Sequence, residues 1–305
     1  MSLDFSGRVA IVTGAGGGLG REHALALAKR GAKVVVNDLG GARDGSGGSA
    51  SAAQAVVDEI IAAGGEAIAN SASVTDFAAV QAMVQETMDK WGRIDILINN
   101  AGILRDKSFG KMELEDFRLV VEVHLMGSVN CCKAVWPIMV AQNYGRIMMT
   151  TSSSGLYGNF GQSNYSAAKL GLVGLMQTLS IEGAKHDIRV NSLAPTAATR
   201  MTNGLYPEAM LNAIQASDVV PAMLVLAAQD APNRTILCAG AGSFEAAHIS
   251  LTQGLYLGRG DNVDEELLAR LQEVKDTLEQ KIPENGMTQG HQEIMAAMAH
   301  HRESD

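Results

Sequence analysis

Residues 8–20 read Arg-Val-Ala-Ile-Val-Thr-Gly-Ala-Gly-Gly-Gly-Leu-Gly, so an apolar run passes directly into a glycine-rich turn. The run 8–13 predicts a buried strand, and residues 21–30 predict a helix. Gly14, Gly18 and Gly20 would let the backbone approach a pyrophosphate, while the helix N-terminus would supply amide groups and a positive dipole end. Strand, glycine turn and helix in this order predict the first unit of a dinucleotide-binding fold.

A second predicted strand, Lys33 to Asn37, ends in an acidic residue at the distance expected for such a fold. The carboxylate of Asp38 is placed to accept hydrogen bonds from the hydroxyl groups of an adenosine ribose. It would repel a 2′-phosphate, which favours NAD over NADP as the cofactor. Gly17 offers no cation beside the turn, and Arg43 is the one nearby residue that argues for NADP.

Predicted strands and helices alternate along the first 240 residues. The further strands are predicted at 66–70, 94–98, 145–151, 188–193 and 235–239. The further helices are predicted at 50–63, 76–90, 114–141 with a break or bend near Pro137, 163–185 and 217–229. Glycine-rich residues 39–49 are expected to form a surface loop. The alternation predicts an α/β protein with a doubly wound parallel sheet of the Rossmann type.

Three segments that follow predicted strands are candidates for the wall of a cofactor site. Ser73-Val74 follows the third strand, and Asn99-Asn-Ala-Gly102 is a tight turn after the fourth, where Ala101 and Gly102 would let a cofactor lie close. Pro195 closes the sixth strand. Residues 196–215 lack a clear period and are predicted to form a mobile flap, which includes Ala197 and Thr199.

The candidate chemistry lies in Tyr165-Ser-Ala-Ala-Lys169. Residues four apart share one face of a helix, so both polar groups can reach one pocket. A free tyrosine has a pKa of ~10, and a nearby ammonium is expected to lower it and make the phenol a useful acid or base. Ser152 stands at the end of the predicted strand 145–151, where open α/β sheets bind their ligands.

The composition excludes several functional classes. The chain has 305 residues and a net charge of −9 without a long basic run, which argues against nucleic acid as a partner. Cys131, Cys132 and Cys238 form no metal-binding or disulfide pattern. We see no secretory leader, no membrane span and no peroxisomal signal of the Ser-Lys-Leu type at the C-terminus, and we expect a cytoplasmic protein.

The C-terminal part has a different pattern. Residues 261–281 carry an apolar stripe at helical spacing, which predicts a helix that docks on the core or on a neighbouring subunit near the substrate mouth. Residues 286–301 are weakly patterned. Their His291, His300 and His301 fit no metal-ligand spacing, so no metal site is predicted. We divide the chain into a Rossmann-fold domain, 1–242, and a partly helical extension, 243–305.

Gly14-x-x-x-Gly18-x-Gly20, Asn99-Asn-Ala-Gly102, Ser152 and Tyr165-x-x-x-Lys169, in this order, resemble the motifs of the short-chain dehydrogenase/reductase family over residues 5–242. Further stretches resemble the dehydrogenase domain of peroxisomal multifunctional enzyme type 2, which oxidises (3R)-hydroxyacyl-CoA with NAD. These stretches are Asn37-Asp-Leu-Gly-Gly41, Asn99-Asn-Ala-Gly-Ile-Leu-Arg-Asp106, Gly158-Asn-Phe-Gly-Gln-Ser-Asn-Tyr165 and Arg200-Met-Thr202.

The resemblance implies a role for each matching position. Tyr165 would be the acid/base, Lys169 would lower its pKa and hold the nicotinamide ribose, and Ser152 would hydrogen-bond the reacting oxygen. Residues implied to hold NAD are Gly14, Gly18, Leu19, Gly20, Asp38, Asn100 and the flap after Pro195. Two positions depart from the broader family: Ser73 replaces an acidic residue, and His124 replaces an asparagine of the catalytic tetrad, with packing and proton relay as its alternative roles.

Three functions are consistent with these motifs. The first is an NAD-dependent dehydrogenase of (3R)-hydroxyacyl-CoA, and the second is a hydroxysteroid or steroid-side-chain CoA dehydrogenase. The third, a non-catalytic NAD-binding regulator, is disfavoured because Ser152, Tyr165 and Lys169 are all present. The long predicted helices 114–141 and 163–185 carry small or apolar faces, which predict a homodimer or homotetramer.

Overall fold

The computed structural model describes residues 3–199 and 207–303. The chain forms two compact units, Met1–Ala246 and Ala247–Asp305. The predicted motif Arg200-Met-Thr202 lies outside the described residues.

Eight strands form one sheet, and in chain order they are β1 Val9–Thr13, β2 Lys33–Asn37, β3 Glu66–Asn70, β4 Ile96–Asn99, β5 Gly145–Thr150, β6 Ile188–Pro195, β7 Ile236–Gly240 and β8 Ser243–Ala247. Their order across the sheet is β3-β2-β1-β4-β5-β6-β7-β8. β1 to β7 pair in parallel. The strand order reverses between β1 and β4, and a ligand crevice is expected at the carboxyl ends of these two strands.

The α-helices are α1 Gly18–Lys29, α2 Ser51–Ala62, α3 Phe77–Trp91, α4 Leu114–Val121, α5 Gly127–Gln142, α6 Ser153–Tyr157, α7 Ser163–Gly183, α8 Glu208–Ala213, α9 Val220–Ala227, α10 Val263–Ala269, α11 Leu271–Val274 and α12 Met287–Glu303. Ile11, Leu97 and Ile147 of the central strands are fully buried. Strands with helices on both faces need apolar side chains in both directions, which explains the uninterrupted apolar runs in the sequence. The predicted Rossmann-type architecture is therefore confirmed.

The predicted helix 114–141 is wrong in one respect. A π-helical turn, Glu122–Met126, interrupts it between α4 and α5, whereas Pro137 lies inside α5. Such a turn inserts an extra residue into the helix and re-aims its neighbours. Here it contains the buried His124, which contacts the turn after β4.

The C-terminal elements also differ from the prediction. The expected single helix over 261–281 is two short helices, α10 and α11, and the weakly patterned residues 286–301 belong to α12. An amphipathic pattern forms a long helix in water only where its apolar face is buried. Leu268 and Leu278 of the stripe are exposed. Ala241-Gly242, both with positive φ, connect β7 to β8, the geometry of a tight hairpin that extends the sheet beyond the predicted boundary at residue 242.

One described segment, Met210–Ala227, is long and apolar enough by composition to cross a membrane. Its second half is α9, whose Ala222, Met223 and Leu226 are buried in the main core together with residues of α1 and β1. The apolar character of this segment is explained by the core of the protein.

Candidate active site

The glycine turn after β1 and the turn after β4 pack against each other. Gly14 has a φ of +64°, and a Cβ added to it would lie 2.7 Å from the Cα of Ala101. The Nδ2 of Asn100 donates to the carbonyl oxygens of Thr13 and Gly14, both at 3.0 Å. The two turns therefore form one rigid wall, and only glycine fits where they meet.

The N-terminus of α1 opens onto a cleft beside these turns. Gly17 makes no side-chain cap to the helix, and the first turn carries no acidic residue, so α1 presents backbone amides to a negatively charged group. Asp38 is fixed directly beside the glycine turn: its Oδ2 accepts from the amide of Gly16 at 2.7 Å and its Oδ1 from that of Gly40 at 2.6 Å. A glycine cradle, an uncapped helix end and a fixed carboxylate fit a dinucleotide.

The cleft gathers most of the residues that the sequence predicted to bind a cofactor. Those that line it are Gly14, Gly18, Leu19, Asp38, Ser73, Val74, Asn100, Ala101, Gly102, Tyr165, Lys169, Pro195 and Thr199. Gly20 is buried below the turn, where a Cβ would lie 2.2 Å from the carbonyl oxygen of Gly14. Ala197 lines an adjoining cavity.

The loop after Asp38 forms one wall of the cleft, of which only Arg43 was predicted to lie near the cofactor. Gly41, Ala42, Arg43 and Gly45 line it, although residues 39–49 were predicted to be a surface loop. The amide of Leu104 donates to the carbonyl oxygen of Arg43 at 3.0 Å, which holds this loop against the segment after β4. The position of this loop directly after Asp38 is the sequence feature that could have indicated its place in the cleft wall.

Ser152, Tyr165 and Lys169 meet where the cleft and the adjoining cavity join. Ser152 lies just beyond β5 and caps α6; its Oγ accepts from the amide of Ser154 at 3.2 Å. Its hydroxyl lies close enough to the phenol of Tyr165 to act on the pKa of that group. On α7, one turn after Tyr165, the Nζ of Lys169 lies 5.5 Å from the centre of the phenol ring and donates to the carbonyl oxygen of Thr150 at 2.5 Å.

The prediction that the pKa of Tyr165 is lowered is wrong for the protein chain alone. Withdrawal from water raises the pKa of Tyr165 to about 12; the hydrogen bond from Ser152 acts in the opposite direction, and the charge of Asp106 adds to the increase. Burial lowers the pKa of Lys169 to about 7. Burial disfavours the charged form of each group, so it opposes the phenolate as well as the ammonium.

His124 packs beneath the same site. Its ring meets that of Tyr165 edge-on, with the centres 5.1 Å apart. Its Nε2 lies 3.1 Å from the amide nitrogen and 2.8 Å from the carbonyl oxygen of Ile103, and its Nδ1 has no protein partner. Burial holds its pKa well below the ordinary value, with a further contribution from the charge of Lys169, so the imidazole is neutral. A Cβ at Gly102 would lie 2.2 Å from its Cε1, so the histidine needs that glycine.

A polar chain outside the predicted set approaches Ser152 from the loop after β4. The Nε2 of Gln162 donates to Asp106 at 2.8 Å, which turns its Oε1 towards the hydroxyl of Ser154, also at 2.8 Å. Because the amide of Ser154 donates to Ser152, these bonds fix the serine as an acceptor on that side and leave its proton free for a partner in the cavity. No periodic pattern in the sequence indicates these hydrogen bonds, because they connect residues that are distant along the chain.

Within residues 3–199 and 207–303, no three His, Cys, Asp or Glu side chains lie together in a way that could hold a metal ion.

Comparison with known families shows to which family the chain belongs. A family model described as short chain dehydrogenase matches residues 8–209. The chain belongs to the short-chain dehydrogenase family. Members of this family are oxidoreductases that typically bind NAD or NADP, in agreement with the cleft and with the three side chains at its end.

Relatives within the family include peroxisomal multifunctional enzyme type 2 of Drosophila melanogaster, which is 50% identical over 258 residues, 85% of this chain and 42% of that enzyme. The solved structure of that full-length enzyme superposes with a TM-score of 0.79, at 39% identity, and the match covers 96% of this chain and 49% of the other. This short-chain dehydrogenase thus spans less than half of the fly enzyme.

Two further relatives are similar in different ways. The putative short-chain type dehydrogenase/reductase Rv0148 of Mycobacterium tuberculosis is 45% identical over 276 residues, 90% of this chain and 96% of that protein. A 7α-hydroxysteroid dehydrogenase, solved with NADH and 7-oxo glycochenodeoxycholic acid, superposes with a TM-score of 0.71 at 30% identity, covering 78% of this chain and 95% of the other.

Proposed function

We propose that this short-chain dehydrogenase interconverts a (3R)-hydroxyacyl-CoA and its 3-ketoacyl-CoA with NAD. The observation that carries the proposal is the meeting of Ser152, Tyr165 and Lys169 at the junction of a dinucleotide cleft and a second cavity. Similarity to peroxisomal multifunctional enzyme type 2 supports the acyl-CoA substrate. The chain matches only part of that enzyme. Activity on an acyl-CoA is therefore part of the proposal.

In this proposal each side chain has a separate task. A bound nicotinamide ring supplies the acceptor for the hydride that leaves the carbinol carbon. Tyr165, as phenolate, takes the proton of the substrate hydroxyl. Ser152 donates a hydrogen bond to the same oxygen, for which its proton is free because its other contact is as an acceptor from Ser154. Lys169, held by the carbonyl of Thr150, places a positive charge beside the phenolate and would hold the nicotinamide ribose.

A steroid alcohol is the second candidate substrate. The structural likeness to a 7α-hydroxysteroid dehydrogenase favours it, because that protein shares the fold over 78% of this chain. A non-catalytic NAD-binding regulator remains the third hypothesis and is disfavoured by the presence of all three catalytic candidates. A screen of the purified chain with NAD and NADP against acyl-CoA and sterol alcohols tests these choices. Turnover of (3R)-hydroxyacyl-CoA is expected, whereas turnover of steroids alone would overturn the proposal.

The proposed preference for NAD rests on Asp38. Its two oxygens are anchored by the amides of Gly16 and Gly40, and each oxygen keeps a lone pair for a ribose hydroxyl. A carboxylate anchored in this way cannot turn away from a 2′-phosphate. Arg43, which lines the same cleft, is the cation that would favour NADP.

Replacing Asp38 with alanine is expected to reduce kcat/KM with NAD by about tenfold or more and to raise the activity with NADP, because hydrogen bonds to an ionised group are worth about 1.5–3 kcal/mol. Asp44→Ala is the matched control, since Asp44 belongs to the same loop, is exposed and bonds Ser46 instead. Steady-state kinetics with both cofactors make the measurement. A wild-type enzyme that prefers NADP would refute the assignment.

We also propose that the chain forms a homodimer or homotetramer. Leu170 and Ile181 of α7 are exposed apolar side chains, which supports a helix face covered by another copy. Light scattering at micromolar concentration is expected to give a mass of at least two chains, and Ile181→Asp should reduce it because a buried carboxylate without a partner opposes association. A monomeric wild-type protein would contradict this prediction.

The division of labour between the two parts of the chain is a further proposal. We propose that residues 1–242 form the catalytic domain and that 243–305 modulate it. Deletion of residues 260–305 is expected to change the KM for the substrate or the oligomeric state while the cofactor still binds. Isothermal calorimetry with the cofactor, kinetics and light scattering test this. If all three are unchanged, the extension has no functional role.

For the compartment we propose the cytoplasm. Rv0148, which is 45% identical to this chain, comes from a bacterium, an organism without peroxisomes. Other relatives are named as peroxisomal enzymes, which makes the peroxisome the alternative compartment. Fractionation of the source cells tests the proposal, and enrichment in peroxisomes would overturn it.

A further inference from the structure

Three aromatic side chains on two neighbouring loops point into solvent. Phe109 is 75% exposed, Tyr157 73% and Phe160 90%. Single exposed apolar side chains are ordinary in proteins, but a group of them beside a cavity marks a binding surface. Aromatic residues make up only 4% of the chain, so three of them on these loops form a local concentration. We call Phe109, Tyr157 and Phe160 the aromatic rim.

The loops that carry the aromatic rim are tied together. The amide of Lys107 donates to the carbonyl oxygen of Gly161 at 2.9 Å. The bond from Gln162 to Asp106, at 2.8 Å, joins the same two segments through side chains. The rim is therefore a preformed surface, and a ligand that binds to it loses little free energy to ordering the protein.

Tyr157 connects the aromatic rim to the catalytic cavity. Tyr157 lines the cavity that also contains Ser152 and Tyr165, and Leu104 and Ile214 contribute further apolar surface to it. A substrate whose reacting oxygen lies against Tyr165 therefore has an apolar path outward across Tyr157. Residues 157–163 contain no charged side chain, which favours an uncharged hydrocarbon along this segment, whereas Phe109 lies between Lys107 and Lys111 in the sequence.

We infer that the aromatic rim binds the outer part of a long acyl chain and makes the enzyme selective for long-chain substrates. This inference rests on the proposed function for its substrate class. It adds a binding surface that lies outside the catalytic residues and sets the preference for chain length. Removing an aromatic contact should weaken only the substrates long enough to reach it.

The test compares kcat/KM for four-carbon and sixteen-carbon (3R)-hydroxyacyl-CoA in Phe160→Ser, Phe109→Ser and the double variant. The exposed Phe244 lies on β8, outside both segments that carry the aromatic rim, and gives the control Phe244→Ser. With the double variant we expect a loss of about tenfold or more for the long chain and a change of less than about twofold for the short one. Equal losses for both lengths, or no loss for either, would overturn the inference.

A second readout separates this inference from the proposed function. Binding of palmitoyl-CoA, which carries the chain but no reacting hydroxyl, is measured by calorimetry. It is expected to weaken about tenfold in the double variant and to be unchanged in Phe244→Ser. If the wild type turned over no hydroxyacyl-CoA but the variants showed these changes in palmitoyl-CoA binding, the inference about the rim would be supported and the proposed function would be refuted. Light scattering completes the test: a smaller oligomer in the double variant, with an unchanged chain-length profile, would identify the rim as an interface between copies and overturn the inference.

Discussion

The Tyr165→Phe enzyme is expected to lose at least about 10²–10⁴-fold in kcat, the usual contribution of general acid–base catalysis, while it still binds the cofactor. The substitution keeps the ring, which meets His124 edge-on, and removes only the hydroxyl. Packing around α7 should therefore be unchanged, and the loss should appear in the chemical step. Cofactor affinity measured by fluorescence titration is expected to stay near the wild-type value.

The pH profile gives the same prediction a sharper form. In the direction of alcohol oxidation, activity should rise with pH because the phenolate is the form that accepts the proton. Burial raises the pKa of Tyr165 to about 12 in the chain by itself. In the working enzyme we expect the apparent pKa below that of free tyrosine, ~10, since an oxidised, cationic cofactor favours the phenolate, and the phenolate in turn favours the ammonium form of Lys169. This rise of activity with pH should be absent from the Tyr165→Phe enzyme.

Tyr157→Phe is the control for this experiment, because Tyr157 lines the neighbouring cavity but is largely exposed to solvent. It should keep both its kcat and its pH limb. If Tyr165→Phe retained near-native kcat, another group would be the base. Since burial holds the pKa of His124 well below its ordinary value, a limb carried by that residue would lie at acid pH and would be recognised.

Replacing Lys169 with methionine is expected to abolish most activity and yet to stabilise the chain without cofactor at neutral pH. Burial lowers the pKa of Lys169 from 10.5 to about 7. Between these values the unfolded chain binds the proton and the folded chain does not, so stability rises with pH across this window, and the cost of the buried charge is complete below pH 7. At pH 8 the cost is about 3 kcal/mol.

The methionine variant removes that cost but also removes the bond to the carbonyl of Thr150, worth about 1 kcal/mol. We therefore expect a net gain of about 2 kcal/mol in urea unfolding at pH 8, and we expect the increase in stability between pH 7 and 10 to disappear. The exposed Lys185, just after α7, supplies the control Lys185→Met, for which neither change is expected. A variant of Lys169 that is active, or that is destabilised at pH 8, would contradict this account.

The parts of the fold that sequence predicted are those set by local sterics and by apolar runs. Gly14 has a positive φ and no room for a Cβ, and Asn99-Asn-Ala-Gly102 is built of small residues because the neighbouring turn presses against it. Buried strands such as β4 and β5 carry side chains that are apolar towards both faces, which any reader of the sequence can recognise. These features need no knowledge of distant contacts.

The features that sequence did not predict depend on distant contacts. The loop around Arg43 joins the cleft wall through a bond to Leu104, and the π-helical turn forms where His124 meets Gly102 and Ile103. The direction of the pKa of Tyr165 depends on burial, which spacing within a helix cannot give. In the C-terminal unit, the apolar stripe of 261–281 is mostly exposed, so periodicity overestimated the length of its helix.

The most direct test of the central claim is the formation of reduced nicotinamide when the purified full chain is given NAD and either enantiomer of a 3-hydroxyacyl-CoA. The account predicts that the (3R) substrate is oxidised to the 3-ketoacyl-CoA and that Tyr165→Phe, assayed in parallel, forms almost none. Oxidation of the (3S) substrate alone, or equal rates for wild type and Tyr165→Phe, would contradict it.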